Sequence, residues 1–240
     1  TFTGVEELIG SEYDDTLTGD SGANTLDGGS GTDYLWGGDG DDILVGGASG
    51  DVLMGGDGND HLYGDRGPRG GIIAGPSGDA LNGGDGYDFA RYDYASLGIR
   101  ADLRPGHPDT LGGESRGDTF TSIEGLVGSA YNDSLTGDVN DNTLYGLSGD
   151  DFLTGNYGAD NMIGGAGADR FYFYETLDST VARPDHIFDF NSAEGDLIDL
   201  STIDANTALA NDQAKRLTEM LTGNPELAGI SAALYTGEAG

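Results

Sequence analysis

The chain is 240 residues long and carries 10 Lys and Arg against 43 Asp and Glu, 45 Gly and no Cys, for a formal net charge of −33. That balance repels nucleic acid and anionic membrane surfaces and attracts cations. The lack of Cys excludes disulfides and thiolate metal sites, and no apolar run reaches membrane-spanning length. The chain opens at Thr1 partway through a larger pattern and is expected to be a portion of a longer protein.

Residues 10–63 fall into six nonapeptides, numbered here so that position 6 is the acidic residue: GSEYDDTLT, GDSGANTLD, GGSGTDYLW, GGDGDDILV, GGASGDVLM and GGDGNDHLY. Position 6 carries Asp15, Asn24, Asp33, Asp42, Asp51 and Asp60, and position 8 is Leu in all six. Nine residues hold a six-residue turn and a three-residue strand. Glycine at positions 1, 2 and 4 permits positive φ and close approach of neighbouring backbones. Position 8 points to one face of its strand and its neighbours point away. Two nonapeptides then complete one coil of 18 residues. Stacked coils make two parallel sheets with Leu between them, and position 6 forms two rows, Asp15–Asp33–Asp51 and Asn24–Asp42–Asp60. Residues 64–73 break the phase, with Pro68 and Arg69 in the turn and no Asp at position 6. The pattern resumes in AGPSGDALN (74–82) and GGDGYDFAR (83–91), which closes a first block, 1–91.

Residues 92–122 lack the Gly-Asp turn, but Ile99, Ala101 and Leu103 alternate with polar residues as a strand does. The segment 92–127 is read as an irregular insertion that continues the roll as a spacer, with binding of a ligand as the alternative. A second block, 128–172, places Asp133, Asn142, Asp151, Asp160 and Asp169 at position 6. A longer repeat lies over the short one: FTGVEELIGSEYDDTLTGD (2–20) matches FTSIEGLVGSAYNDSLTGD (120–138) at an offset of 118.

Residues 173–240 form a cap of different style. Phe171, Phe173, Phe188 and Phe190 supply bulk that the Gly-rich coils lack, and solenoids need a covered end. In TALANDQAKRLTEMLT (207–222), Leu209, Leu217 and Leu221 stand at near-helical spacing, and Asn224-Pro225 opens a second candidate helix. The expected fold is all-β: a right-handed parallel β-roll, or β-solenoid, with a C-terminal cap containing one or two short helices.

Carboxylates stacked one coil apart, at about 5 Å, repel by several kcal/mol at intermediate dielectric. A divalent cation between them reverses the sign. The donors on offer are carboxylate and carbonyl oxygens, which suit Ca²⁺; Zn²⁺ wants His or Cys, and neither recurs. These units resemble the RTX nonapeptide GGxGxDxUx, a calcium-binding β-roll signature. The stretch DHIFDFNSAEGDLIDLS (185–201) resembles the C-terminal module of serralysin-type metalloproteases. The resemblance implies several ions. Each would be held by positions 2, 4 and 6 of one repeat and positions 1, 3 and 6 of the next-but-one, Asp through its side chain and the rest through carbonyls. One site would comprise Gly29, Gly31, Asp33, Gly46, Ala48 and Asp51. A second would comprise Gly38, Gly40, Asp42, Gly55, Asp57 and Asp60. A third would comprise Leu147, Gly149, Asp151, Gly164, Ala166 and Asp169. Further sites would pair Asp15 with Asp33 and Asp133 with Asp151, although Tyr13 and Tyr131 replace the position-4 Gly. Asn24 and Asn142 remove a charge, so sites shared with Asp42 and Asp160 are expected to be weaker. Residues 64–73 are expected to hold no ion in the usual way, and Asp79 and Asp88 lack clear partners. Asp185, Asp189, Asp196 and Asp199 read equally as a further site or as solvated turn acids.

The histidines are His61, His107 and His186; none lies in HExxH, and no Ser lies in a GxSxG elbow. No catalytic motif is present, and the chain reads as non-enzymatic, although a parent protein could be an enzyme. The expected function is a calcium-induced folding and stabilising module of a protein exported by type I secretion machinery, secreted or at the cell surface. The alternatives are an adhesin or surface-layer module that binds a surface glycan, or the C-terminal part of a secreted protease, lipase or epimerase, with a fused catalytic or adhesive domain.

Overall fold

In each coil the position-8 side chain is driven inward because it is the one apolar group between two turns rich in Gly and Asp. In the computed structural model, which describes residues 4–65, 67, 78–107, 113–175 and 177–202, that choice sets the whole architecture. The first block contains β1 (Glu7–Ile9), β2 (Thr16–Thr18), β3 (Thr25–Ser30), β4 (Tyr34–Asp39), β5 (Ile43–Ala48), β6 (Val52–Asp57), β7 (His61–Tyr63), β8 (Ala80–Asp85) and β9 (Phe89–Arg91). The insertion contributes β10 (Arg100–Asp102), β11 (Thr119–Thr121) and β12 (Gly125–Val127). The second block and cap contribute β13 (Ser134–Thr136), β14 (Thr143–Ser148), β15 (Phe152–Thr154), β16 (Asn161–Ala166), β17 (Arg170–Tyr172), β18 (His186–Ile187) and β19 (Leu197–Asp199).

All pairings are parallel. One sheet of nine strands runs β1-β3-β5-β7-β9-β12-β14-β16-β18, faced by two five-stranded sheets, β2-β4-β6-β8-β11 and β10-β13-β15-β17-β19. Within the blocks the register is 18 residues, as in Leu26 opposite Leu44 and Leu35 opposite Leu53. Between the sheets lies one core in which Leu26, Leu35, Leu44, Leu53, Leu62, Leu126, Leu135, Leu144, Leu153, Met162 and Phe171 are fully buried. This is the β-roll that the nonapeptide period calls for.

The coils lengthen where the phase breaks, and the stacking absorbs the extra chain. His61 pairs with Phe89, 28 residues on, and Leu62 with Ala90, so the ladder continues across a coil ten residues longer than its neighbours. The insertion is built in an order its sequence hides. β9 continues the nine-stranded sheet, but β10 skips forward to pair with β13, and β11 returns to pair with β8. No ladder joins β10 to β11. The Ser115 hydroxyl stands at this seam, donating to the Arg100 carbonyl at 2.7 Å and accepting the Arg100 N–H at 3.1 Å. Ile99, Ala101 and Leu103 are all buried, as their alternation requires.

The cap meets its expected role in part. Phe171 and Phe173 are buried and Phe190 packs against the core, but Phe188 stands on the outer face of the sheet and is exposed, because Ile187 takes the inward position. The helices expected within 207–225 lie outside the described residues; among those described there is no helix.

Candidate metal centres

The position-6 residues form two ladders along opposite edges of the roll. On one edge, Asp33 Oδ1 accepts the Asp15 N–H at 2.8 Å, Asp51 that of Asp33 at 2.7 Å, Asp79 that of Asp51 at 2.8 Å, and Asp118 that of Asp79 at 2.9 Å. Beyond the seam the row restarts: Asp133 Oδ1 accepts the Ile99 N–H, then Asp151, Asp169 and Asp196 follow in turn. On the other edge, Asp42, Asp60, Asp88 and Glu124 accept the N–H of Asn24, Asp42, Asp60 and Asp88, and Asp160 and Asp185 accept those of Asn142 and Asp160. One carboxylate oxygen of each is thus fixed by the backbone of the coil before it.

In ten of them the second oxygen has no such partner. Oδ2 of Asp33, Asp42, Asp51, Asp60, Asp79, Asp88, Asp151, Asp160, Asp169 and Asp185 is buried without a hydrogen bond. A buried, unpaired carboxylate oxygen is costly. Burial pushes the Asp51, Asp151 and Asp160 carboxyls up to about 7, and those of Asp42 and Asp88 up to about 6, against an ordinary 3.8; the single N–H donor pulls the other way. Burial raises Asp33, Asp60 and Asp169 as well.

The glycines explain how these oxygens are held. At position 1 the missing Cβ is the space that Oδ2 of the same repeat fills, with the position-1 carbonyl of the next coil beside it: Asp33 Oδ2 and Gly46 O against Gly28, Asp42 Oδ2 and Gly55 O against Gly37, Asp151 Oδ2 and Gly164 O against Gly146. At position 2 the carbonyls of Gly29, Gly38 and Leu147 lie against Gly47, Gly56 and Gly165, and at position 4 those of Gly40 and Gly149 lie against Gly58 and Gly167. At position 3 the carbonyls of Ala48, Asp57 and Ala166 accept the N–H of Gly31, Gly40 and Gly149 at 3.1, 2.6 and 2.9 Å, which leaves each a second lone pair. Carboxylate and carbonyl oxygens of adjacent coils therefore crowd one edge, the donor set a hard cation takes. Among the described residues no three Asp, Glu, His or Cys side chains gather as a metal-ligating cluster, so such a cation would depend on main-chain oxygens.

Position 2 separates two kinds of turn. Where it has positive φ, as at Gly29, Gly38, Gly47, Gly56, Gly84 and Gly165, and also at Leu147 (φ 79°) and Asn156 (φ 67°), the Asp of that repeat keeps an unpaired Oδ2. Where it is Ser11, Asp20, Ser129 or Asp138, φ is not positive, and its N–H donates to the position-6 side chain of its own repeat: Asp15, Asn24, Asp133 and Asn142, at 2.5–2.7 Å. These four turns close on themselves. The sequence shows GS or GD in place of GG at these four; a fifth such pair, Gly64-Asp65, opens the longer coil of Asp79, whose Oδ2 is unpaired although Asp65 does not have positive φ.

The structure also brings in residues that the nonapeptide count passed over. Asp79 and Asp88 have partners one coil away, in Asp51 and Asp60. The segment 92–122 does hold a position-6 Asp: GESRGDTFT (113–121) puts Asp118 in the row and Phe120 at position 8, opposite Leu81. Glu124 fills the same slot for β12, and the Glu shared by FTGVEELIG and FTSIEGLVG was its signal in the sequence. Asp185 and Asp196 extend the two rows into the cap, whereas Asp189 accepts the N–H groups of Gly164 and Gly165 at 3.0 and 2.7 Å and plugs the last turn.

Comparison with known families places this geometry. The family model for the peptidase M10 serralysin C terminal matches residues 19–226, most of the chain. The chain belongs to the serralysin C-terminal family. The model of the RTX calcium-binding nonapeptide repeat, in four copies, matches residues 1–35. This serralysin-type module therefore carries calcium-binding repeats, and such a pairing points to type I secreted extracellular proteins. No curated protein matches the chain. No helix among the described residues is long and apolar enough to cross a membrane.

Proposed function

We propose that this module is a calcium-dependent folding and stabilising unit of a secreted protein, without catalytic chemistry of its own. The observation that carries the reading is the double row of buried Asp side chains, ten of which have one oxygen held by backbone and the other unpaired. Calcium, when bound, supplies positive charge between the carboxylates of adjacent coils. The chain's own residues do the rest. The ladder N–H groups orient each carboxylate, the position-1 glycines let Oδ2 approach the main chain, and position 2 decides which turns stay open.

The ligand sets follow the crowding at the edges. Asp33 and Asp51 would act with the carbonyls of Gly29, Gly31, Gly46 and Ala48. Asp42 and Asp60 would act with those of Gly38, Gly40, Gly55 and Asp57, and Asp151 and Asp169 with those of Leu147, Gly149, Gly164 and Ala166. Sites using Asp15 and Asp133 rank lower, since their Oδ2 already accepts a backbone N–H. Two leucines per coil cannot order 18 residues with much to spare, because each residue costs about 1–2 kcal/mol to fix and each buried Leu returns about 1.5–3 kcal/mol. Ion binding to the folded form alone then links folding to calcium. The chain would stay unfolded where calcium is scarce, pass through a type I channel, and fold outside. The insertion 92–127 serves as a structural joint, since Ile99, Ala101, Leu103 and Ile123 are buried in the core, while Tyr94 and Leu97 stay exposed.

Circular dichroism tests this reading. A disordered spectrum is expected in chelator and a β spectrum in millimolar Ca²⁺, with Mg²⁺ a poor substitute. A β spectrum that persists after exhaustive chelation overturns it.

A further inference from the structure

Among the described residues the β1–β2 end of the roll is an open edge, and the molecule holds a second copy of that edge already covered. Residues 1–28 and 119–146 are identical at 17 of 28 positions at the constant offset of 118. In the second copy β12 is flanked by β9, in register Gly125–Phe89, Leu126–Ala90 and Val127–Arg91. There β13 is flanked by β10, in register Arg100–Ser134, Ala101–Leu135 and Asp102–Thr136. The matching strands of the first copy, β1 and β2, are the end strands of their sheets and pair only with β3 and β4.

The difference extends to individual groups. In the covered copy the carbonyls of Val127 and Thr136 accept the N–H groups of Tyr92 and Leu103, both at 2.9 Å. Glu124 Oε2 accepts the Asp88 N–H at 2.9 Å, and Asp133 Oδ1 the Ile99 N–H at 2.7 Å. Among the described residues no strand reaches the corresponding groups of Ile9, Thr18, Glu6 and Asp15. Leu126 and Leu135 are fully buried, whereas Leu8 and Leu17 are half-buried. Val127 is 4% exposed and its counterpart Ile9 is 60% exposed. An unpaired edge with an open apolar row is a template for a further strand.

We propose that the β1–β2 edge is a docking surface for a parallel strand pair of the kind this chain carries at 89–91 and 100–102, supplied by a copy of residues 1–118 joined ahead of Thr1. The 118-residue unit then stacks in tandem into a longer roll. The docking strands present small inward side chains, Ala90 and Ala101, that leave room for the leucines of the next coil. Their leading backbone N–H groups, those of Asp88 and Ile99, meet an acidic acceptor on the edge, the role that Glu6 and Asp15 would take.

The absence of native Cys makes the test clean. In the present chain, in saturating calcium, Ile9→Cys sets the labelling rate of an open position and Val127→Cys that of a covered one. In a chain with residues 1–118 added ahead of Thr1, the Cys replacing Ile9 next to the junction is expected to label at least tenfold more slowly, near the Val127→Cys rate. Amide exchange at Leu8 and Leu17 of that unit is expected to slow with it. The same tandem with Ala90→Asp and Ala101→Asp in the added unit is expected to label at the single-chain rate. Labelling of the unaltered tandem at the single-chain rate, with the added unit shown by circular dichroism to be folded, overturns the proposal. If the long addition does not fold, adding residues 79–118 alone, which carry both strands, reads the same rate with the same two outcomes.

Discussion

Asp42 shows at one residue how the module separates structure from ion binding. Its Oδ1 is fixed by the Asn24 N–H, while Oδ2 is left unpaired beside the Gly55 carbonyl because Gly38, at φ 118°, turns its own N–H elsewhere. Directly beneath, Asp20 occupies position 2 and its N–H closes on Asn24. Gly38→Ser is therefore expected to move position 2 out of the left-handed region, since its Cβ would meet the Asp20 carbonyl, and to close the turn onto Asp42. Calorimetric titration is expected to count one ion fewer. Gly22→Ser, where φ is not positive and the nearest atom to an added Cβ is Asp20 Oδ1 at 3.5 Å, is expected to leave the count unchanged. Equal stoichiometry in the two variants would show that position 2 does not gate the site. The same residues fix a pH response. In the metal-free folded form Asp42 lies at about 6 and Asp51, Asp151 and Asp160 at about 7, through burial, against 3.8 when unfolded. A folded-state value raised above the unfolded one contributes stability that is complete below about pH 4 and lost as pH rises through 6 to 7. Metal-stripped protein is therefore expected to gain β signal on acidification from pH 8 to pH 4, and calcium affinity is expected to fall over the same window. A β signal that stays flat or falls on acidification contradicts this.

At the scale of the element, a parallel coil is finished only when its turn finds a partner one coil on. Inside the roll the Gly47 N–H meets the Gly64 carbonyl at 2.8 Å. At the last turn the N–H groups of Gly164 and Gly165 are taken instead by the two oxygens of Asp189. Hydrogen bonds to a charged acceptor contribute about 1.5–3 kcal/mol each. Asp189→Ala is expected to lower the stability of the calcium-loaded module by about 2–4 kcal/mol, with Asp189→Asn intermediate, as measured by denaturant unfolding. A loss below about 0.5 kcal/mol in both variants would show that the cap is held by packing of Phe171, Phe173 and Ile187 alone.

Across the whole molecule, 33 net negative charges oppose compaction, and the fold places its most deeply buried carboxylates in rows rather than scattering them. The seam between β10 and β11 divides the row that starts at Asp15, since Ile99 stands where the next position-6 acid would be. The nine-stranded sheet crosses the seam without a break, so the two blocks are expected to unfold together. For each site near saturation, a tenfold rise in free calcium adds about 1.4 kcal/mol of unfolding free energy. Unfolding measured at several calcium concentrations is therefore expected to give a slope several times that value, in one transition. A slope of one ion or fewer per molecule would leave the rows without a thermodynamic role.

The nine-residue period by itself determined the all-β roll, its inward leucines and the two acidic rows, because contacts between residues 18 apart repeat with the sequence. Leu26 over Leu44 and Asp33 over Asp51 need no information beyond that phase. Only the tertiary structure decided what happens where the spacing changes. Asp118 and Glu124 join their rows at separations of 39 and 36 residues, β10 overtakes β11, and Asp189 leaves the acidic rows to plug a turn. These placements depend on which edge a looped chain can reach, and a constant period carries no record of that. The division between open and closed turns was written at position 2 as GG against GS or GD, except in the longer coil at Asp65 and at Leu147 and Asn156. At Leu147 and Asn156 the coil stacking holds a non-glycine residue at positive φ, which local preference alone would not choose.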